Sequence, residues 1–287
     1  MSQTLMTLLL PIALGWIMLC VGLTLSPADF RRVLSTPGQV VTGLILQLLG
    51  LPLLALAIVS LLGLSGTVAI GLWLLALAPG GATSNAISQL CGGDAALSIT
   101  LTAISSLVVP VTLPLLLPLI LIGADLQLDY KTAVLQLLVV TVVPVVAGMG
   151  VRQIALARVR KLQPLLQRTA FLALLLTVVV IVLANQQVVA YLWSQAALAA
   201  LLLCVSGMGL GYLVSTRWKN RRALAPTFAV EVGIQNAGTA IFVAAVILQR
   251  PELALTPLVY GILMNIPAFA LILWQQRSGS GVLKSSG

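Results

Sequence analysis

Long apolar runs, broken by short clusters of charge, glycine or proline, organise this chain. Because a helix needs roughly 20 apolar residues to cross about 30 Å of hydrocarbon, each run predicts a membrane-spanning helix. The runs are Leu5 to Leu25, Gly38 to Leu62, Thr67 to Leu90, Ala95 to Ile122, Thr132 to Ile154, Leu165 to Ala184, Val188 to Val214, Ala223 to Leu248 and Leu255 to Trp274, nine in all. Loops between them are short, so the pattern predicts an all-α polytopic membrane protein with one transmembrane domain over residues 1–277. No basic side chain lies in Met1 to Thr4 and no small-residue cleavage pattern is evident, so the first run reads as a helix, not a signal peptide. The Gly- and Ser-rich stretch 278–287 reads as a flexible end or an artificial extension.

Composition agrees: the chain is 60% hydrophobic and only 7% charged, far from soluble usage. Lys and Arg beside span ends are retained in the cytoplasm. With the N-terminus outside, the inner loops hold every basic residue of the 15 except Lys131 and Arg250, which predicts a cytoplasmic C-terminus and, for a bacterial chain, the inner membrane. The net charge of +9 therefore needs no nucleic acid, and no interleaved aromatic platform accompanies it. There is no His, which removes histidine general bases, His–metal sites and the usual pH switch. Cys20, Cys91 and Cys204 are isolated and read as packing residues.

Asp29, Asp94, Asp125, Asp129 and Glu252 fall in loops or at span edges; of the six acids Glu231 alone lies within a run. A carboxylate at mid-helix costs roughly 2.5–3.5 kcal/mol on insertion scales, so such a residue usually lines a polar cavity or binds an ion. The alternative is a protonated or snorkelling Glu near the cytoplasmic end. No Lys or Arg lies deep inside a run to neutralise it, since Arg152 and Arg168 stand within a few residues of run ends, so the counter-charge would be a cation or a proton. The segment Glu231-Val232-Gly233-Ile234-Gln235-Asn236-Ala237-Gly238 favours a cation. Its glycines let the helix unwind and expose carbonyls, while the half-helix that follows presents free N–H groups to an anion. Oxygen ligands suit Na⁺. Each glycine alone is equally consistent with close helix packing.

A second break, Pro79-Gly80-Gly81-Ala82-Thr83-Ser84-Asn85-Ala86, interrupts the third run. Irregular backbone at that depth survives only where it lines a cavity or is buried in protein. Each break is followed by one further run, and each carries Asn-Ala, Asn85-Ala86 and Asn236-Ala237. Counting makes the two broken helices antiparallel, the inverted-repeat arrangement that puts a site near the midplane, here split four plus five. Ser98 and Thr102 share one face of the fourth run, where they either bond their own i−4 carbonyls or line the site. Gln47 interrupts the second run at similar depth, and Asn265 in the last is either interhelical glue or a ligand contact. Gly207, Gly209 and Gly211 follow no strand and read as a packing face, not a dinucleotide fingerprint. With no ATP-binding loop, ATP-driven transport by this chain alone is unsupported; with no His, no acidic pair within a run and no DDxxD-like cluster, so is intramembrane enzyme chemistry.

In this order and spacing, GLTLSPADF (Gly22 to Phe30), APGGATSNAISQLCGGDAALSITLTAISS (Ala78 to Ser106) and EVGIQNAG (Glu231 to Gly238) resemble the bile acid:sodium symporter family. The resemblance spans nearly the whole chain and is similar to the nine-span members, bacterial or plastid-type. It implies a core domain, about 38–122 and 188–248, and a panel domain, about 5–25, 132–184 and 255–274, with two unwound helices crossing in the core. It implies one Na⁺ at Ser84, Asn85, Ser98, Thr102 and Glu231, and a second at Gln47, Glu231, Val232, Ile234 and Gln235. Thr83, Asn85, Asn236 and Asn265 match substrate-side positions; many relatives have Thr directly after the second Gly, so the hydroxyl is displaced here to Thr83.

What the resemblance implies is a sodium-coupled symporter of small organic anions, bile-acid-like or other carboxylates, working by alternating access. Its partners would be two Na⁺ ions, the anion and membrane lipid, with a monomer sufficient. The alternative is a proton-coupled or uncoupled carrier of the same fold, with Glu231 as proton acceptor.

Overall fold

A computed structural model describes residues 3–81, 83–120, 129–184 and 191–283. Asp125, the end of the fourth run at Ile122, the start of the seventh at Val188 and the last residues from Lys284 lie outside the described residues. The described chain is all helix, with a single isolated β-bridge and no strand.

Helix α1 (Gln3–Thr24) turns at Leu25-Ser26 into α2 (Pro27–Ser35), bent by 73°. Asp29 makes this corner, its carboxylate accepting from the Ser26 N–H at 2.6 Å and hydroxyl at 2.8 Å. Then come α3 (Pro37–Leu61), α4 (Gly66–Ala76), α5 (Ser84–Leu90) and α6 (Ala95–Ile120). The second half holds α7 (Tyr130–Ile154), α8 (Leu156–Ala184), α9 (Gln195–Ser215), α10 (Arg221–Gly233), α11 (Ala237–Ile247), α12 (Leu255–Leu263) and α13 (Asn265–Leu283). Helix α13 thus continues past Ser278 into the stretch expected to be a flexible end. Asp129 caps α7 through the Lys131 N–H at 3.1 Å, and its bond from the Thr132 hydroxyl holds its carboxyl below the ordinary pKa.

Among the described residues, α3, α6, α7, α9 and the stretch Pro251–Arg277 that holds α12 and most of α13 are long and apolar enough to cross a bilayer, five in all and six if α1 and α2 form one bent span. Of the remaining runs, the third and eighth are each cut in two, α4 with α5 and α10 with α11, and the sixth lies within the continuous α8, whose first turns carry Arg158, Arg160 and Lys161. The outward surface is apolar: Ile12, Leu53, Leu119 and Leu213 are each about two-thirds exposed, as lipid-facing residues are.

Helices α1, α7 and α8 pack together, and the C-terminal carbonyl of α1 at Thr24 accepts from the Arg152 guanidinium of α7. Helices α9 and α10 form the other close pair. Helix α12, expected with the panel, sits against α9, α4 and α11. The three buried cysteines are free.

Candidate functional site

Both breaks follow from their sequences. Helix α4 stops after Ala76, and Pro79, which has no N–H to donate, leads an extended stretch before α5 restarts at Ser84. Helix α10 stops at Gly233, Ile234 is extended (φ −109°, ψ 102°), and α11 restarts under Asn236, whose Oδ1 accepts from the Thr239 N–H at 3.1 Å. The two unwound segments then satisfy each other. The Gly81 N–H donates to the Ile234 carbonyl and the Asn236 N–H to the Pro79 carbonyl, both at 2.9 Å, which makes the antiparallel bridge between Gly80 and Gln235. A β-carbon at Gly80 would sit 3.1 Å from Glu231 Oε2, and one at Gly81 3.1 Å from the Ile234 carbonyl oxygen. The paired glycines therefore admit both the partner backbone and the carboxylate.

Glu231, 1% exposed in the last turn of α10, faces α6. There Ser98 donates to Oε1 at 2.5 Å and Thr102 to Oε2 at 2.8 Å, so the two hydroxyls on one face do line the site. Asn85 turns its Oδ1 toward the same hydroxyls, 2.9 Å from Ser98 and 3.4 Å from Thr102, and Ser84 Oγ lies 3.2 Å from Thr102 Oγ1. The structure thus gathers all five residues expected at the first ion position. A hydroxyl has one proton, so Ser98 cannot serve both Glu231 and Asn85 at once. Acceptor oxygens exceed donors here, and among the described residues no Lys or Arg pairs with the carboxylate. Such a cluster is completed chemically by a hard cation; no group of three His, Cys, Asp or Glu exists among the described residues to favour a transition metal.

The second expected position is also gathered, with a different balance. Gln47 lies in a π-helical turn, Leu46–Gly50, where the helix makes room for Pro52 and the Leu51 N–H reaches back to Leu46. Its amide is 2% exposed and donates to Gln235 Oε1 at 2.8 Å. Turned over, that amide instead donates to the Glu231 carbonyl at 3.2 Å and accepts from the Gly80 N–H at 2.9 Å. The Gln235 amide donates to the Val232 carbonyl at 2.8 Å, and the Ile234 carbonyl is held by Gly81, so these acceptors are internally paired.

The substrate-side residues are more dispersed. Asn236 is buried, with Nδ2 lacking any protein partner. Thr83 is half-buried and its side chain caps nothing. Asn265 is exposed and donates to its own helix, to the Gly261 carbonyl at 2.9 Å and the Ile262 carbonyl at 3.1 Å.

Residues outside the predicted set complete the frame. Ser105 accepts the Gly80 N–H at 3.3 Å, Thr227 takes the Asp94 N–H at 2.7 Å and Ser88 at 3.3 Å, and Tyr260 reaches the α10 break. Ser88 and Ser105 sit inside a motif already singled out, while Thr227 and a lone Tyr in apolar runs carry no sequence signal.

An all-helical integral membrane protein whose broken helices cross at a buried oxygen cluster has the build of a membrane transporter. Residues 11–192 match the Sodium Bile acid symporter family, and the chain belongs to that family, one of transporters and not of enzymes. It is 29% identical over 271 residues to the "uncharacterized sodium-dependent transporter YocS" of Bacillus subtilis (strain 168), a match covering 94% of this chain and 80% of YocS. It is 29% identical over 273 residues to the "probable sodium/metabolite cotransporter BASS2, chloroplastic" of Oryza sativa subsp. japonica, covering 94% of this chain and 64% of that protein. The corresponding BASS1 of Arabidopsis thaliana is 31% identical over 232 residues, 79% of this chain and 56% of that protein. The chain thus spans under two-thirds of the length of these plant relatives.

Proposed function

We propose that this protein couples the movement of small organic anions to sodium by alternating access. The observation that carries the proposal is the surplus of acceptor oxygens around Glu231, a buried carboxylate held by hydroxyls and facing no basic side chain among the described residues. Two Na⁺ would use the positions described, one at Ser84, Asn85, Ser98, Thr102 and Glu231, the other at Gln47, Glu231, Gln235 and the carbonyls of Val232 and Ile234. For the second, Gln235 and Gly81 give up their hold on those carbonyls as the ion enters.

Two sodium ions on one carboxylate leave a single positive charge, which a monoanion cancels. Asn236, with its free Nδ2 beside the crossing, supplies a donor for that anion, and Thr83, Asn85 and Asn265 are the other side chains assigned to it. Sodium that orders the crossing raises anion affinity, and the anion must raise sodium affinity by the same factor. The chain is read as nine spans in a four-plus-five inverted repeat, N-terminus outside, in a bacterial inner membrane. Helix α12 moves with the core, given its seat against α9, α4 and α11.

A thermal-shift screen of carboxylates with and without Na⁺ identifies the anion by sodium-dependent stabilisation. The best ligand is then followed in proteoliposome counterflow: uptake is expected to collapse when K⁺ replaces Na⁺, and uptake indifferent to that exchange sinks the coupling. Ser98→Ala and Thr102→Val each remove a hydroxyl from Glu231. Each is expected to raise the half-saturating Na⁺ concentration by roughly 10–100-fold, with Thr102→Ser close to wild type. Sodium titration of the melting temperature reads the effect.

A further inference from the structure

The break after Gly233 leaves two backbone groups without helical partners, the Gly233 carbonyl and the Gln235 N–H. Both are taken by one atom. Tyr260 Oη donates to the Gly233 carbonyl at 2.5 Å and accepts from the Gln235 N–H at 3.2 Å. A hydroxyl oxygen does both at once, whereas a carbonyl oxygen only accepts and an ammonium only donates. The ring is 1% exposed and among the largest fully buried side chains, so the hydroxyl has no freedom to leave.

Tyr260 belongs to α12, which meets the other side of the break as well. A β-carbon on the next residue, Gly261, would lie 3.1 Å from the Ala237 side chain at the start of α11, and the Gly261 carbonyl accepts from Asn265. One helix therefore touches the last residue of α10, the extended stretch and the first residue of α11.

We infer that Tyr260 is a positioning residue for sodium: it holds the α10 break in the shape that aims Gln235 at Gln47 and the Ile234 carbonyl at Gly81, and it ties that shape to α12. The inference rests on the sodium reading above. Phenylalanine fills the same space and leaves the carbonyl and N–H unpaired in a buried place, so the stretch drifts toward partners elsewhere. The Glu231 carbonyl, which a continuous helix would offer to the Gln235 N–H, is one such partner. Binding must then restore the geometry as well as capture the ion, and apparent affinity falls by the fraction of molecules still in the competent shape.

The test uses the full chain, purified in detergent, with NaCl exchanged for KCl at constant total salt while the melting temperature is followed. Wild type is expected to show a saturable, sodium-specific rise; a wild type without one overturns the sodium reading, and this inference with it, before any variant is examined. Given that rise, Tyr260→Phe is expected to shift the half-saturating Na⁺ upward by about fivefold or more, a competent fraction near one in five. An unchanged half-saturation overturns the inference even if the sodium-free protein melts earlier, because the hydroxyl would then only support the fold. Should that variant not fold, 3-fluorotyrosine at position 260 keeps the hydroxyl. Its ¹⁹F resonance is expected to move with the same sodium dependence as the melting temperature, and a stationary resonance overturns the inference.

Discussion

Glu231→Gln removes sodium-specific stabilisation and sodium-driven uptake together, with apparent sodium affinity falling by about 100-fold or more. The side chains have nearly the same shape, so packing in the last turn of α10 is retained. What changes is the charge and the donor balance. One carboxylate oxygen becomes an NH₂ that meets Ser98 or Thr102, whose protons already point inward at 2.5 and 2.8 Å. A donor then faces a donor where an acceptor pair had been, and a cation meets no net negative charge. A proton-coupled carrier gives the opposite result, since glutamine mimics the protonated acid and the loaded state survives. Sodium titration of the melting temperature, run beside an uptake assay at several pH values, separates the two outcomes. A variant that keeps sodium-specific stabilisation at wild-type concentrations removes Glu231 from the site.

Gly211→Ala is expected to destabilise the protein by about 3 kcal/mol, a fall on the order of 5–10 °C in melting temperature. A β-carbon at Gly211 would lie 2.2 Å from the Phe228 carbonyl oxygen, which is backbone of α10 and cannot swing aside. Helix α10 would have to back away from α9, and Glu231 travels with it, so sodium affinity falls too. Gly209, two residues earlier on the same helix, has nothing within 4 Å of its hypothetical β-carbon. Gly209→Ala is therefore neutral or slightly stabilising, because alanine is the better helix former by about 1 kcal/mol. Melting curves of the pair in one detergent decide the matter; equal effects would mean that α9 and α10 do not meet at Gly211.

Much of this site was legible because membrane solvent makes polar residues conspicuous. Glu231, Ser98, Thr102, Asn85 and Gln47 each stand out against apolar neighbours, and proline or paired glycine marks each helix break. Of the three glycines read as a packing face, Gly207 and Gly211 form one, since β-carbons there would meet the backbone of α10, while Gly209 has open space beside it and packs against nothing. Other features were hidden by the range of the contacts. Tyr260 binds Gly233 across 27 positions and Thr227 binds Ser88 across 139, distances at which periodicity carries no information. The seat of α12 was not legible for that reason: its composition fits either neighbour, and only the packing shows it against α9, α4 and α11. Asn265 illustrates a further limit, since an amide in a run can serve its own helix, and here it does.

The bridge between Gly80 and Gln235 governs how the crossing tolerates change. Ser84, Asn85, Ser98 and Thr102 belong to the first half of the chain and Glu231 to the second, so the oxygen cluster exists only where the two halves meet. A substitution in one crossing segment is therefore a problem for the other, because the backbone of each is the hydrogen-bond partner of its counterpart.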